Sequence, residues 1–515
     1  MRENIKKIFR TSGVLLHPSS LPNSPVCGSF GRPARDWLRL LSKNGIGVWQ
    51  FLPIAPTDKT GSPYSSPSGF SYNPWFIDVN DLVEEGFLPD SVFNQIPGAI
   101  EQSACSIDFS LADSRSQFIG TLLKENWKTQ SLLRHQEFNL WRSNQFWLED
   151  HAVFMELRRQ FNDLPWWKWP LPFSSYENFD LKQWSESHQE KLLEHLLLQW
   201  QLDRQWKSLK SLAKRLGVIL FGDIPFYVSR DSADVWSNPS LFSILKGRNL
   251  HLQSGVPPDY FSDDGQLWGT PVYRWKKHKR TRFRWWRGRF ARHLEQVNLL
   301  RIDHFRALDS FWAVPGDDKT ARNGYWRPSP GLELLSLLKK DNLGQLPLVA
   351  EDLGVITPGV DLLRSYFGLP GMKILQFAFD GNKDNPYLPE NIKGNNWIVY
   401  TGTHDNQTSL GWWNELDDEK RRYIAERYNK EGLSPCWQLI EMGLSTEAKL
   451  FVAPIQDVLE LDDKARLNKP GTIENNWSWR LESFDSELEN SLRNYGNLSR
   501  TFERTSEDIF EKYQI

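Results

Sequence analysis

Short apolar runs bounded by Gly, Pro or Asn punctuate the chain, and many of them end in a polar or acidic residue. In order they are GVLLH (13–17), GIGVWQFLPI (45–54), LGVILFGDIP (216–225), LLRIDHF (299–305), LPLVAEDL (346–353), MKILQFAFD (372–380), WIVYTGTHD (397–405) and LFVAPIQDV (450–458). Near-continuous apolar runs suit strands buried on both faces, as in a parallel sheet covered by helices. Helix-like stretches lie between them, at 35–44, 190–216 and 331–340. Eight strand candidates with helical intervals predict an α/β fold, a (β/α)8 TIM barrel. A doubly wound sheet would want a glycine fingerprint after its first strand, and neither GxGxxG nor GxxxxGK occurs.

A bare barrel takes about 250 residues, so half of the 515 residues must be insertions. The reading is one catalytic barrel domain, 1–515. An inserted subdomain at 82–200 separates strands 2 and 3, an insertion at 229–297 with an active-site loop separates strands 3 and 4, and one at 406–449 separates strands 7 and 8. Insertions after strands fall on the C-terminal face, where they would wall a deep cleft. The aromatic, Pro-rich LPWWKWPLPF (164–173) is expected to pack inserted helices.

Charges at the ends of apolar strands are costly unless paired or functional. Here they recur as Asp223, Arg301 with Asp303, Glu351 with Asp352, Asp380, and His404 with Asp405. In a barrel such ends converge on one face. Period-2 alternation puts Arg301 and Asp303 on the same side and His304 on the other. An arginine beside an aspartate holds that carboxylate ionised, as a nucleophile requires. A second carboxyl in a different environment could stay protonated as the acid, the division of labour that glycosidic bond cleavage uses.

Composition sharpens this reading. The chain has 25 Trp, 30 Phe and 14 Tyr, with Trp several-fold above the roughly 1% of average proteins. Sugar rings present apolar C–H faces that stack on Trp and Tyr, while their hydroxyls take charged and amide partners. The 62 Lys and Arg against 64 Asp and Glu leave a formal charge of −2, which gives no electrostatic case for nucleic acid or anionic membrane. One stretch, RWKKHKRTRFRWWRGRFARH (274–293), imitates a nucleic-acid patch. Its Phe283, Trp286 and Phe290 fall at helical spacing, so its apolar side is expected against the barrel. The three cysteines, Cys27, Cys105 and Cys436, show no metal or disulfide spacing, and the basic start of the chain leads into too short an apolar stretch for a signal core. A cytoplasmic location is expected. A metal-dependent barrel hydrolase would want an HxH pair on the first strand, where the chain reads Leu15-Leu16-His17.

Several longer stretches are similar to the 4-α-glucanotransferases, also called amylomaltases or disproportionating enzymes, of glycoside hydrolase family 77 in the α-amylase clan. They are GSPYSSPSGFSYNP (61–74), GDIPFYV with DSADVW (222–236), GVPPDYFSDDGQLWGTPVY (255–273), RIDHFR (301–306), AEDLGVITPGV (350–360), GLPGMKILQFAFD (368–380), YTGTHDNQT (400–408) and NKPGT with NNWSWR (468–480). The resemblance spans about residues 13–485 in unbroken order.

The resemblance implies a retaining double displacement without a cofactor or metal. Asp303 matches the nucleophile, Glu351 the general acid/base and Asp405 the transition-state stabiliser. Arg301 and His404 match the charged neighbours of subsite −1, and Tyr64, with Ser62 beside it, the ring under that sugar. Asp223 matches the third-strand aspartate near the same subsite. Gln266 and Trp268 lie in a loop over the acceptor side, Asp380 resembles a donor-side hydroxyl ligand, and Asn476 is a further candidate. The implied partners are α-1,4-glucans, maltooligosaccharides and glucose, bound by a monomer. An α-amylase-clan hydrolase and a catalytically silent glucan-binding protein stand as alternatives.

Overall fold

The computed structural model describes residues 10–98, 105–258, 262–354, 356–428 and 432–505. Asp259, Tyr260 and Phe261 of the GVPPDYF motif, and Val355 of AEDLGV, lie outside the described residues, as does the basic start at 1–9.

All eight apolar runs form parallel strands of one sheet: β1 (Thr11–Leu15), β2 (Val48–Gln50), β3 (Ile219–Ile224), β4 (Leu299–Ile302), β5 (Leu348–Ala350), β6 (Gly371–Ile374), β7 (Trp397–Tyr400) and β8 (Leu450–Pro454). Pairing runs β6-β7-β8-β1-β2-β3-β4-β5, each strand beside its neighbour in sequence. The seam between β5 and β6 is closed by Ala350 N donating to Pro370 O at 2.9 Å. There Asp352 Oδ1 accepts from Met372 N at 2.7 Å, with Arg364 3.2 Å from its other oxygen. A Cβ at Gly371 would stand 2.3 Å from Asp352 Oδ2, so this position needs glycine for the carboxylate to approach the backbone.

Strand alternation sorts the side chains into two cores. Leu15, Val48, Phe221, Leu299, Val349, Met372, Tyr400 and Val452 fill the barrel interior. Val14, Trp49, Leu220, Leu300, Leu348, Val399 and Phe451 face outward into a second cluster, which they share with Trp37, Leu41, Trp206, Phe290, Leu334 and Leu439. Those partners come from helices that precede or follow the strands: α1 (Arg32–Lys43), α2 (Gln189–Arg215), α3 (Arg284–Gln296), α4 (Gly331–Asp341) and α5 (Pro435–Ser445). The basic stretch is thereby explained. Phe283, Trp286 and Phe290 are buried, and so are Arg289 and Arg292, which donate to Phe226 O and Phe70 O.

Between β2 and β3 the longer helices Phe109–Trp127, Leu132–Ser143 and Leu148–Gln160, with the short helices Val79–Glu84 and Leu181–Ser187, precede α2 among the described residues. Trp166 and Trp169 are buried against them and the loop after β3, with indole N–H groups donating to Arg230 O and Leu164 O at 2.7 Å. A four-stranded antiparallel sheet was not evident from the sequence. It pairs Gln266–Pro271, Leu252–Val256, Ser310–Pro315 and Tyr325–Pro328 in that order. Its edge strands are largely exposed, so they lack the apolar runs that mark barrel strands. Two apolar runs end as strands early: β6 gives way to a 3-10 turn at Leu375–Phe377, and β8 to a short helix at Ile455–Val458. Among the described residues no helix is long and apolar enough to cross a membrane.

Candidate active site

The inward-facing parity of β3, β4 and β5 continues past their apolar portions into Asp223, Arg301 with Asp303, and Glu351. Asp223 and Arg301 are register partners across the β3–β4 ladder, and Ile302 and Ala350 across β4–β5. Three neighbouring strands therefore deliver four charged side chains to one end of the barrel.

Arg301 stands at their centre. Its Nη1 lies 2.6 Å from Asp223 Oδ2 and its Nη2 3.0 Å from Asp303 Oδ1. Burial works against the guanidinium charge, but the carboxylates of Asp223 and Asp303 outweigh it and hold Arg301 protonated. Burial pushes the Asp223 carboxyl up, against the pull of Arg301. The Tyr64 hydroxyl donates to the same Asp223 oxygen at 2.7 Å. Burial, reinforced by Asp223, Asp303 and Asp405, raises the Tyr64 phenol well above its ordinary value, so it stays a neutral donor.

Glu351 accepts from His304 N at 2.8 Å and Leu353 N at 3.2 Å. The chain leaves β4 at His304 with φ of 52°, a left-handed turn next to Asp303 that brings this N–H to Glu351. Burial pushes the Glu351 carboxyl up to about 7, with the Asp303 charge adding to it and Arg301 opposing. One carboxylate thus sits against a permanent cation while its neighbour is poised to carry a proton near neutrality.

His404 and Asp405 occupy a loop beyond β7. The His404 ring stacks on Tyr64 (5.3 Å between centroids, 13° between planes), and Trp477 tilts against both at 5.9 and 6.0 Å. Asp405 Oδ1 accepts from Asn468 Nδ2 at 2.6 Å and lies 3.4 Å from His404 Nε2. Arg466 Nη2 donates to Asp405 O at 2.6 Å, and Asn468 N to His404 O at 3.1 Å. Asn468, Arg466 and Trp477 were absent from the candidates read from sequence, although NKPGT and NNWSWR contain two of them.

The structure thus brings together Asp303, Glu351, Asp405, Arg301, Asp223, Tyr64 and His404. Ser62 sits in the turn below Tyr64, its Oγ 3.4 Å from Tyr64 N. Trp268 lies on the exposed edge of the antiparallel sheet, its ring edge-on to His304 at 4.9 Å and its Nε1 3.3 Å from Gln266 Oε1. His304 thus donates its N–H to Glu351 and touches Trp268 with its ring. Asp380 is not at a strand end: it follows the 3-10 turn after β6, is exposed, and accepts from Asn382 N at 2.9 Å. Asn476 is buried and engaged by its own loop, accepting from Lys469 N and donating to Thr472 O at 2.9 Å each. Among the described residues, no group of three or more His, Cys, Asp or Glu side chains is arranged to hold a metal ion.

A (β/α)8 barrel with paired carboxyls at the C-terminal ends of β4 and β5 is a scaffold suited to glycosidic chemistry. The family profile described as 4-alpha-glucanotransferase matches residues 16–486. The 4-alpha-glucanotransferase of a Synechocystis strain is 41% identical over 477 residues, covering 92% of this chain and 94% of that protein. The one from Thermus thermophilus is 41% identical over 487 residues, covering 92% and 95%. The amylomaltase of Streptococcus agalactiae, solved in complex with acarbose, superposes with a TM-score of 0.90 at 31% identity, covering 96% of this chain and 100% of that one. This chain belongs to the 4-alpha-glucanotransferase family.

Proposed function

We propose that the protein transfers α-1,4-glucan segments from a donor maltooligosaccharide to the 4-hydroxyl of an acceptor glucan or glucose, through a covalent glycosyl-enzyme. The observation that carries the reading is the contrast between Asp303, ion-paired to Arg301, and Glu351, raised to about 7 and bonded to the backbone of the next residue, His304.

In the first step Asp303 attacks the anomeric carbon as the bond from that carbon to the leaving 4-oxygen breaks. The Glu351 proton passes to that oxygen, and an ester joins Asp303 to the sugar. In the second step the Glu351 carboxylate takes the proton of the acceptor's 4-hydroxyl, whose oxygen attacks the anomeric carbon and displaces Asp303. Two displacements retain the configuration. Asp405, oriented by Asn468, accepts from the 2- and 3-hydroxyls, whose hydrogen bonds strengthen in the transition state. Tyr64 supplies the ring under the −1 sugar, with Arg301, His404 and Asp223 around it. Gln266 and Trp268 cover the acceptor side, and Asp380 and Asn476 remain outer candidates for longer chains. The chemistry draws on side chains alone, without a cofactor, in a cytoplasmic monomer.

The same ester would meet water in a glucan hydrolase, and incubation with maltotriose separates the two. Transfer gives glucose together with a ladder of longer oligosaccharides on thin-layer chromatography. Accumulation of only shorter products overturns the transferase reading. Asp303→Asn is expected to abolish both patterns while keeping starch binding.

A further inference from the structure

The loop that carries His404 and Asp405 runs from Thr401, just after β7, to Ser409, where the helix Ser409–Glu415 begins. Both barrel neighbours of β7, the strands β6 and β8, end early beside it, one in a 3-10 turn and the other in the short helix Ile455–Val458. Each of these endings turns one buried polar side chain toward the loop: Gln376 from the turn and Asp457 from the helix.

Asp457 is 1% exposed. A carboxyl so placed is costly unless its oxygens are satisfied, and burial pushes it toward the neutral form with no cation to offset the cost among the described residues. Its oxygens are filled from the two ends of the loop. Oδ2 accepts from Thr401 Oγ1 at 2.5 Å and from Ser409 Oγ at 2.7 Å, and Oδ1 accepts from Ser409 N at 2.7 Å. One carboxyl thus ties the first residue after β7 to the first residue of the next helix.

Gln376 bridges the same ends from the β6 side. Its backbone N–H donates to Thr401 O at 3.2 Å and its Nε2 to Gln407 O at 3.0 Å. A Cβ on Gly402 would stand 2.8 Å from that Nε2, so glycine lets the amide reach across the loop. Apolar side chains would close the barrel here without burying an amide and a carboxyl. Two polar groups that each span the ends of one loop point to what lies between those ends. We infer that Gln376 and Asp457 form a two-sided brace that fixes Asp405 against the sugar, as positioning residues that act through the loop and not on the substrate. The inference rests on the glucan-transferring reading. It adds a hold on the ends of the loop to the one that Arg466 and Asn468 exert on Asp405 itself.

Steady-state kinetics on maltotriose with full-length variants test this. Asp457→Asn leaves one carbonyl for Ser409 N and replaces the oxygen shared by the two hydroxyls with an amide donor. It should lower kcat about 10- to 100-fold with KM changed less than about threefold, because the hydrogen bonds of Asp405 to the sugar strengthen in the transition state. Gln376→Met should give a loss of the same kind, about tenfold. Two variants of Thr401 separate a brace from packing: Thr401→Val keeps the shape and loses the hydroxyl, whereas Thr401→Ser keeps the hydroxyl and loses the methyl. The brace predicts the larger kcat loss for Thr401→Val, and packing alone predicts it for Thr401→Ser. Where Asp457→Asn fails to fold by circular dichroism, the Thr401 variants decide. Independently of activity, hydrogen exchange across 401–409 should speed up about tenfold in Asp457→Asn or Thr401→Val. Unchanged exchange, a kcat for Asp457→Asn within about twofold of wild type, or a larger loss for Thr401→Ser overturns the inference. A wild-type chain that fails to disproportionate maltotriose, with exchange still faster in the variants, counts against the enzyme reading alone.

Discussion

The two halves of the candidate site are held by different means. On the β3–β5 side, Asp223, Arg301, Asp303 and Glu351 leave adjacent strands in register, and each charge is fixed by another charge or a backbone N–H. On the opposite side, His404 and Asp405 belong to a loop beyond β7, and a second loop, 466–477, clamps them through Arg466, Asn468 and the Trp477 ring. The Asp405 side chain is 45% exposed and that of Asp303 32%. The groups proposed to make and break bonds thus leave hydrogen-bonded barrel strands directly, which fixes their dipoles and charges before reaction. Groups that would grip sugar hydroxyls sit on loops held by other loops.

The largest effect should follow from disturbing the strand-borne half. Glu351→Gln is expected to lower turnover on maltotriose about 10³-fold or more, with the fold retained. In the wild type the acid form of Glu351 is lost as pH rises through about 7, so kcat/KM should fall on that alkaline side, and the residual activity of the variant should lack this limb. Stability gives the same sign independently. The folded carboxyl titrates near 7, above its ordinary 4.5, so its contribution is fully present below about 4.5 and is lost as pH rises toward 7. Glu351→Gln should therefore raise Tm relative to wild type at pH 8 and not at pH 4.5. A Tm difference indifferent to pH contradicts the assignment.

The same contrast explains what the sequence disclosed. All eight strands were legible because burial on both faces leaves a continuous apolar run, and alternation along those runs pointed Asp223, Arg301, Asp303 and Glu351 inward. Asp380 was expected at a strand end because LQFAF is as apolar as a strand, although Leu375–Phe377 turns as a 3-10 helix. The Asn468–Asp405 bond joins residues 63 positions apart through loops that have no periodicity to read. Asn476 drew attention for its place beside Trp477; Asn468, whose amide donates to Asp405, opens the NKPGT run.

A smaller loss is expected from the loop-borne half. Asn468→Ala removes one hydrogen bond to a carboxylate, worth ~1.5–3 kcal/mol, or about 10- to 100-fold in kcat/KM. Because Asn468 positions Asp405 and does not itself carry the reaction, the loss should fall mainly on kcat and vanish when Asp405 is already Asn. Steady-state kinetics of the two single variants and the double variant measure this coupling. Additive losses would mean that Asn468 acts on the substrate directly.

Trp268 belongs to neither half, and the smallest effect is expected there. It stands on an exposed edge strand, 37% accessible, with its ring edge against His304. No charged group of the site depends on it for position, so Trp268→Ala should change donor consumption less than about threefold. Its loss removes apolar surface that would hold an acceptor sugar and exclude water, and one stacking contact of ~0.5–1.5 kcal/mol translates to a partition shift of about two- to tenfold toward hydrolysis. The ratio of reducing ends released to maltotriose disproportionated reads that partition directly, whatever the overall rate. A ratio that stays put, with activity otherwise intact, would move the acceptor contact off this sheet and onto the strand-borne wall. A ratio that shifts while Glu351→Gln keeps its pH signature would show that the barrel performs the bond exchange and that the sheet selects what completes it.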